Sequence, residues 1–125
     1  MKTVKATREG LIGGHTASGW IINSDTPYVA LPSEAALRQW VRVINPLNEK
    51  WIDALVLDVG PHHTDDDAYV FGSAQPRAES DGSNGAGIDL GEVVWNKLGM
   101  KDNTQVRWDF LISILEYDGP ILPKQ

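Results

Sequence analysis

At 125 residues and 13.7 kDa, the chain has the size of a single domain, 1–125, and 42% apolar residues with five tryptophans can build one core, which excludes wholesale disorder. It has no cysteine, which excludes a disulfide framework, a thiolate zinc site and cysteine catalysis, and no apolar run approaches the ~18 residues of a membrane span. Eleven basic against 17 acidic side chains leave a net charge of −6, which argues against nucleic acid and anionic membrane surfaces and favours a neutral or cationic partner.

Residues 1–14, MKTVKATREGLIGG, are basic at the start but hold only Leu11 and Ile12 where an export signal needs an apolar stretch. Either the protein is made without such a signal or the chain begins after its removal. Thr16 to Ile22 reads as a short strand, and Ser33, after Pro32, as the N-cap of a helical turn reaching Leu37. Trp40–Ile44 is β-branched and partly alternating, with Asn45-Pro46-Leu47-Asn48 as the turn that ends it. Trp51–Val59 is apolar enough to be buried on both faces except at Asp53 and Asp58. A long polar segment rich in Asp, Gly and Ser follows, from Pro61 to Ala86. Asp89–Gly99 predicts a helix: Leu90, Val94 and Leu98 recur every four residues, Glu92 and Lys97 suit the helix dipole, and Gly99 suits the C-terminal cap. Val106, Trp108 and Phe110 alternate with Arg107 and Asp109 as in a half-buried strand, and the apolar run continues to Leu115. Twelve glycines and seven prolines add many turns, so the pattern is that of a small β-rich barrel or sandwich with one good helix.

Six local signals occur in one order: Thr16-Ala17-Ser18-Gly19, Val29-Ala30-Leu31-Pro32, Val41-Arg42-Val43-Ile44-Asn45, Asp58-Val59-Gly60-Pro61, Gly87-Ile88-Asp89-Leu90-Gly91 and Lys97-Leu98-Gly99-Met100. This resembles the rare lipoprotein A family, which is related to expansins and some endoglucanases. The resemblance implies a mainly β fold, a six-stranded double-psi β-barrel over about residues 14–115 with one or two short helices and an insertion at 62–87. It also implies a groove for polysaccharide, typically peptidoglycan glycan strands. No cofactor and no metal is expected.

Lytic transglycosylases of that family carry a Glu directly after TASG, an acidic residue three positions later and a His before the LP segment. This chain has Trp20, Asn23 and, allowing a one-residue gap, Tyr28 there, so that catalytic set is absent. Asp25 substitutes only if the loop is re-registered. Asp58 and Asp89 remain, and the Asp matching Asp89 is the general acid in expansin-like proteins and related endoglucanases. Two nearby carboxyls cannot both ionise cheaply, which would supply the raised acid that glycosidic cleavage needs. Asp58, Asp25 or one of Asp65, Asp66 and Asp67 would then be the second carboxylate. Each has a plain structural alternative: Asp89 as the helix N-cap, Asp58 as a turn former before Gly60-Pro61.

Trp20, Asn23, Tyr28, His62, His63 and Tyr69 are the candidate substrate-binding residues, with Trp20 the best-placed platform for sugar stacking. Trp95 and Trp108 have core spacing, and Trp40 and Trp51 flank a hairpin across which they would pair. His62-His63-Thr64 with three aspartates matches no closed metal motif and reads as a solvated acidic loop, and Asp81–Gly85 lacks the terminal acid of a calcium loop. His15 is ambiguous. No serine nucleophile elbow, Walker loop or Rossmann fingerprint is present. Two functional classes therefore stand: an enzyme cleaving peptidoglycan or a related glycan, and a non-catalytic glycan-binding or structural barrel of the expansin, phage or secretion-component kind. The resemblance implies the periplasm or extracellular space, while the absence of a visible signal leaves a cytoplasmic or phage-delivered protein open. Oligomeric state is not readable from the sequence.

Overall fold

Lys2–Glu9 forms the first strand, β1, in a stretch where the sequence reading saw only a basic start. Its period of two rests on Val4 and Ala6 alone, both buried, and two small inward residues among charged ones are a weak pattern. The barrel therefore begins at Lys2 and not near residue 14. The computed structural model describes residues 1–10 and 16–118, so His15 and the tail beyond Asp118 lie outside the described residues.

Five strands follow: β2 (Tyr28–Leu31), β3 (Trp40–Ile44), β4 (Trp51–Val59), β5 (Ala86–Gly91) and β6 (Gln105–Phe110). They close into a barrel in the order β1-β5-β2-β4-β3-β6. The β1–β5 and β2–β4 pairs are parallel and the others antiparallel. A parallel pair needs a crossover connection, and two such pairs interlocked in one barrel make the double-psi arrangement. Closure leaves no free strand edge. Among the described residues three short helices accompany the strands: α1 (Asp67–Val70), α2 (Glu92–Lys97) and α3 (Leu111–Asp118). Among the described residues no helix is long and apolar enough to cross a membrane.

The interior is filled by inward residues of every strand, Val4, Leu31, Val43, Val56, Ile88 and Trp108 among them. Trp108 is fully buried, and its indole N–H donates to the Tyr69 hydroxyl (2.8 Å), which donates to the Gly87 carbonyl (2.8 Å). Tyr69 is thus a core residue and not a sugar platform. It belongs to the 62–87 segment, which is no solvated acidic loop: it folds α1 against the barrel and buries Asp66, Tyr69, Val70 and Ala78. The three aspartates fasten it. Asp65 pairs with Arg77, Asp66 accepts the Arg77 amide (2.8 Å), and Asp67 accepts the Ser33 hydroxyl (2.5 Å). All three lie outside the barrel strands, tied to Arg77 and Ser33. Ser33 does precede a short 3₁₀ turn, Glu34–Ala36, but its hydroxyl is spent on Asp67 and does not cap.

Three other expectations change. Residues 16–20 form a turn and not a strand, the Gly19 amide bonding back to the Thr16 carbonyl (2.9 Å), and only Ile21 makes an isolated bridge. The helix starts at Glu92, because Ile88-Asp89-Leu90 continues as β5, so Asp89 is not its N-cap; Gly99 still ends it with a positive φ of 66°. Trp40 and Trp51 do not face each other, since β3–β4 register sets Trp40 opposite Leu55 and Trp51 opposite Ile44. Trp51 instead lies under the Arg42 guanidinium, 4.1 Å from its ring centre. Trp95 and Trp108 are buried as their spacing predicts. So is Asn45 of the predicted turn, whose amide donates to the Leu98 carbonyl (2.9 Å) and closes the end of α2.

Candidate functional site

Strand register assembles the site. Ala30 of β2 pairs with Asp58 of β4 on one side and with Asp89 of β5 on the other, and Asp89 pairs in turn with Thr7 of β1. Residues opposite one another in a sheet project from one face. Thr7, Asp89, Ala30 and Asp58 therefore form a row across four adjacent strands, with the alanine methyl leaving space between the two carboxyls. Glu9 and Tyr28, each two residues away along its strand, share that face.

Each member is held by a specific contact. The Thr7 hydroxyl donates to Asp89 Oδ1. Asp58 Oδ1 accepts the Ala17 amide (2.8 Å), and the Ser18 amide donates to the Leu57 carbonyl (3.2 Å), so the 16–20 turn is clamped to the end of β4. Gly60, at φ 149°, turns the chain past Asp89; a Cβ there would lie 3.6 Å from Asp89 Oδ2. Tyr28 is 1% exposed, so it backs the carboxyls and cannot stack on a sugar ring.

The low-dielectric setting shows in the carboxyls. Burial pushes Asp89 above the ordinary range; the Thr7 hydroxyl and nearby His62 oppose this, and Asp58 adds to it. Glu9 is pushed up to about 9, by burial first, then by sharing a hydrogen bond and charge with Asp58, then by Asp89. The Tyr28 phenol is raised by burial and by the adjacent Glu9.

This has a consequence for stability. A carboxyl raised in the folded state keeps a proton that the unfolded chain has released, so stability falls with rising pH between the two values. For Glu9 that window runs from its ordinary 4.5 to about 9, and Asp89 acts in the same direction. Asp81 acts oppositely: Ser83, by hydroxyl and amide, and then His63 hold it low, so its contribution is lost only in acid. The thermal midpoint should therefore be highest just above the ordinary carboxyl range and decline towards pH 9, and Glu9→Gln should flatten most of that decline. A midpoint that rises over the same interval in calorimetry would exclude a protonated Glu9.

Asp89 faces an open cleft of about 540 Å³, lined by Thr7, Arg8, Pro61, His62, Asn84, Asp89 and Asn103. His62 Nε2 lies 3.2 Å from Asn84 Oδ1, and Arg8 is held by two 2.6 Å bonds to Glu92 at the start of α2. Hydroxyl, amide, imidazole and guanidinium groups make this lining suited to polyhydroxylated ligands. Trp20 is 44% exposed on the turn clamped to Asp58.

The structure thus brings Asp89, Asp58 and Tyr28 together, with His62 at the cleft. Asp25 stays outside: it is exposed in the 23–26 turn and makes no hydrogen bond or ion pair to the row among the described residues, so the re-registered loop is not adopted. Asn23 is spent on that turn, accepting from the Asp25 amide (2.8 Å) and the Thr26 hydroxyl (3.0 Å). His63 pairs with Asp81 (2.6 Å), away from the row. No group of three His, Cys, Asp or Glu able to hold a metal occurs among the described residues. Glu9 is the member that sequence reasoning missed. The signal lay in Thr7 and Glu9 falling on one face of an alternating strand, once that strand is recognised.

Two solved structures share this barrel. A Streptomyces papain inhibitor superposes with a TM-score of 0.52 at 18% identity, over 87% of this chain and 92% of that one. A point mutant of the Clavibacter michiganensis expansin, in complex with cellohexaose, gives 0.52 at 16% identity over 88% of this chain, which spans half of the expansin's length. At such identities the likeness shows the fold, the six-stranded double-psi barrel of the expansin kind. No curated protein matches the sequence. The family described as a domain of unknown function, DUF8814, matches residues 1–80, more than half of the chain, and the chain belongs to that family.

Proposed function

We propose that the protein is a glycan-active barrel that takes a polysaccharide, peptidoglycan or a related chain, across the Asp89 cleft and cleaves it by acid catalysis. The observation that carries this reading is the raised Asp89 carboxyl opening onto a polar cleft, with Asp58 in the same strand row. The expansin of this fold was solved with a bound cello-oligosaccharide, which supports a sugar ligand. Asp89 gives its proton to the glycosidic oxygen as the bond from that oxygen to C1 breaks. C1 is then attacked either by water, leaving a reducing end, or by a hydroxyl of the same sugar, leaving an anhydro end; Asp58 accepts the proton of the attacking group. A wall glycan as substrate places the work in the periplasm or outside the cell.

The test is incubation with insoluble peptidoglycan and with cellulose, soluble products being read by mass spectrometry. Wild-type protein should release fragments, and folded Asp89→Asn should release at least about 100-fold less. Equal release by the two proteins would remove Asp89 from the mechanism. A second reading, a non-catalytic binding barrel, is favoured by the exposed Trp20 beside Asp58. It predicts protein in the pellet without products, and loss of that binding in Trp20→Ala. Papain hydrolysis assayed alongside tests whether the likeness to the inhibitor extends beyond fold.

A further inference from the structure

Two polar atoms in this cluster, Glu9 Oε1 and Tyr28 Oη, are buried and have no partner at full hydrogen-bond geometry among the described residues, although they lie close enough to each other and to Asp58 to interact. Buried polar atoms are nearly always paired, so such a pair on one sheet face marks a place where a proton is held or the arrangement changes on binding. The groups near Glu9 come from three other strands, Tyr28 of β2, Asp58 of β4 and Asp89 of β5, which the register sets on the same barrel face. Two of the three are carboxyls. Arg8, the next residue along β1, is engaged elsewhere, with Glu92 of α2. An ionised Glu9 would put three negative charges on one small face. A proton on Glu9 removes one of them and lets its carboxyl donate to Asp58.

We propose that Glu9 is the positioning residue of the cleft, a proton-carrying carboxyl between Asp58 and Tyr28 that holds the two aspartates in the row meeting the glycan. This rests on the reading of the cleft as a glycan site. The raised Glu9 agrees with it, and Glu9 is not among the residues that line the Asp89 cleft.

Two measurements test it. The first needs no glycan: carbon-13 NMR titration of carboxyl-labelled glutamate, with the Glu9 signal assigned by its absence in Glu9→Gln. A midpoint near 9 is expected, and one near the ordinary 4.5 overturns the proposal. The second follows peptidoglycan binding from pH 6 to 10, and not product release, because release also falls as Asp89 loses the proton it donates. Wild type should lose about tenfold between pH 8 and 10 as the proton leaves, whereas Glu9→Gln, which keeps a neutral group of the same size, should stay within about threefold throughout. Glu9→Gln showing the same alkaline loss as wild type overturns it too. A midpoint near 9 in a protein that neither binds nor cleaves glycan would instead sink the glycan reading and leave the proton on Glu9.

Discussion

Gly91→Ala is expected to cost about 3 kcal/mol or more of folding stability, measured by urea denaturation. The backbone is not the reason, since Gly91 has φ −65°, which any residue adopts. The reason is steric. A Cβ there would lie 2.4 and 2.5 Å from two carbons of the Tyr28 ring and 2.9 Å from the Tyr28 carbonyl oxygen, and that ring is buried between strands. Domains of this size have about 5–15 kcal/mol in total, so the variant should be partly unfolded at moderate temperature. Tyr28→Ala alone should cost a similar amount through the cavity it leaves. Because the two changes share one space, the double variant should lose at least about 1 kcal/mol less than the sum. Additive losses would mean that the ring moves aside freely and does not brace the carboxyl row.

Trp108→Ala should be the most damaging core substitution, at about 3–5 kcal/mol. Trp108 is wholly buried and meets Tyr69 and Phe110 edge to face, with centroids 6.1 and 5.2 Å apart. Tyr69→Phe separates packing from hydrogen bonding. It keeps the ring but strands both the indole N–H and the Gly87 carbonyl, at about 2 kcal/mol. A loss below about 0.5 kcal/mol would show that water or another group replaces the phenol. The same pair decides the role of the 62–87 segment: if Tyr69→Phe loosens it, limited proteolysis should cut between Pro61 and Ala86 sooner than in wild type.

Much of the barrel was legible because its signals are local. Val41 and Val43 alternating with Arg42, the Val106-Trp108-Phe110 stripe and the apolar Trp51–Val59 run each declare a strand within a few residues. Gly99 declares the end of a helix for the same reason, since only its own backbone has to turn. Strand β1 was illegible because its inward residues are small and few, and Asp89 was misread because a strand that runs directly into a helix shows helical spacing on both sides of the join. The 62–87 segment looked solvated because its aspartates are polar in composition, yet each is consumed by one partner in space.

Composition, periodicity and ordered motifs are properties of neighbouring residues, and they suffice for the class of fold, the lack of cysteine chemistry and the presence of Asp58 and Asp89. That Thr7, Asp89, Ala30 and Asp58 stand in one row, that Glu9 joins them, and that Asp25, His63 and Tyr69 do not, emerges only from the closed barrel. The row draws on four strands and spans residues 7 to 89, and such a register is set by how two parallel pairs interlock when the barrel closes. A one-residue slip in either pair would turn those side chains to the opposite face.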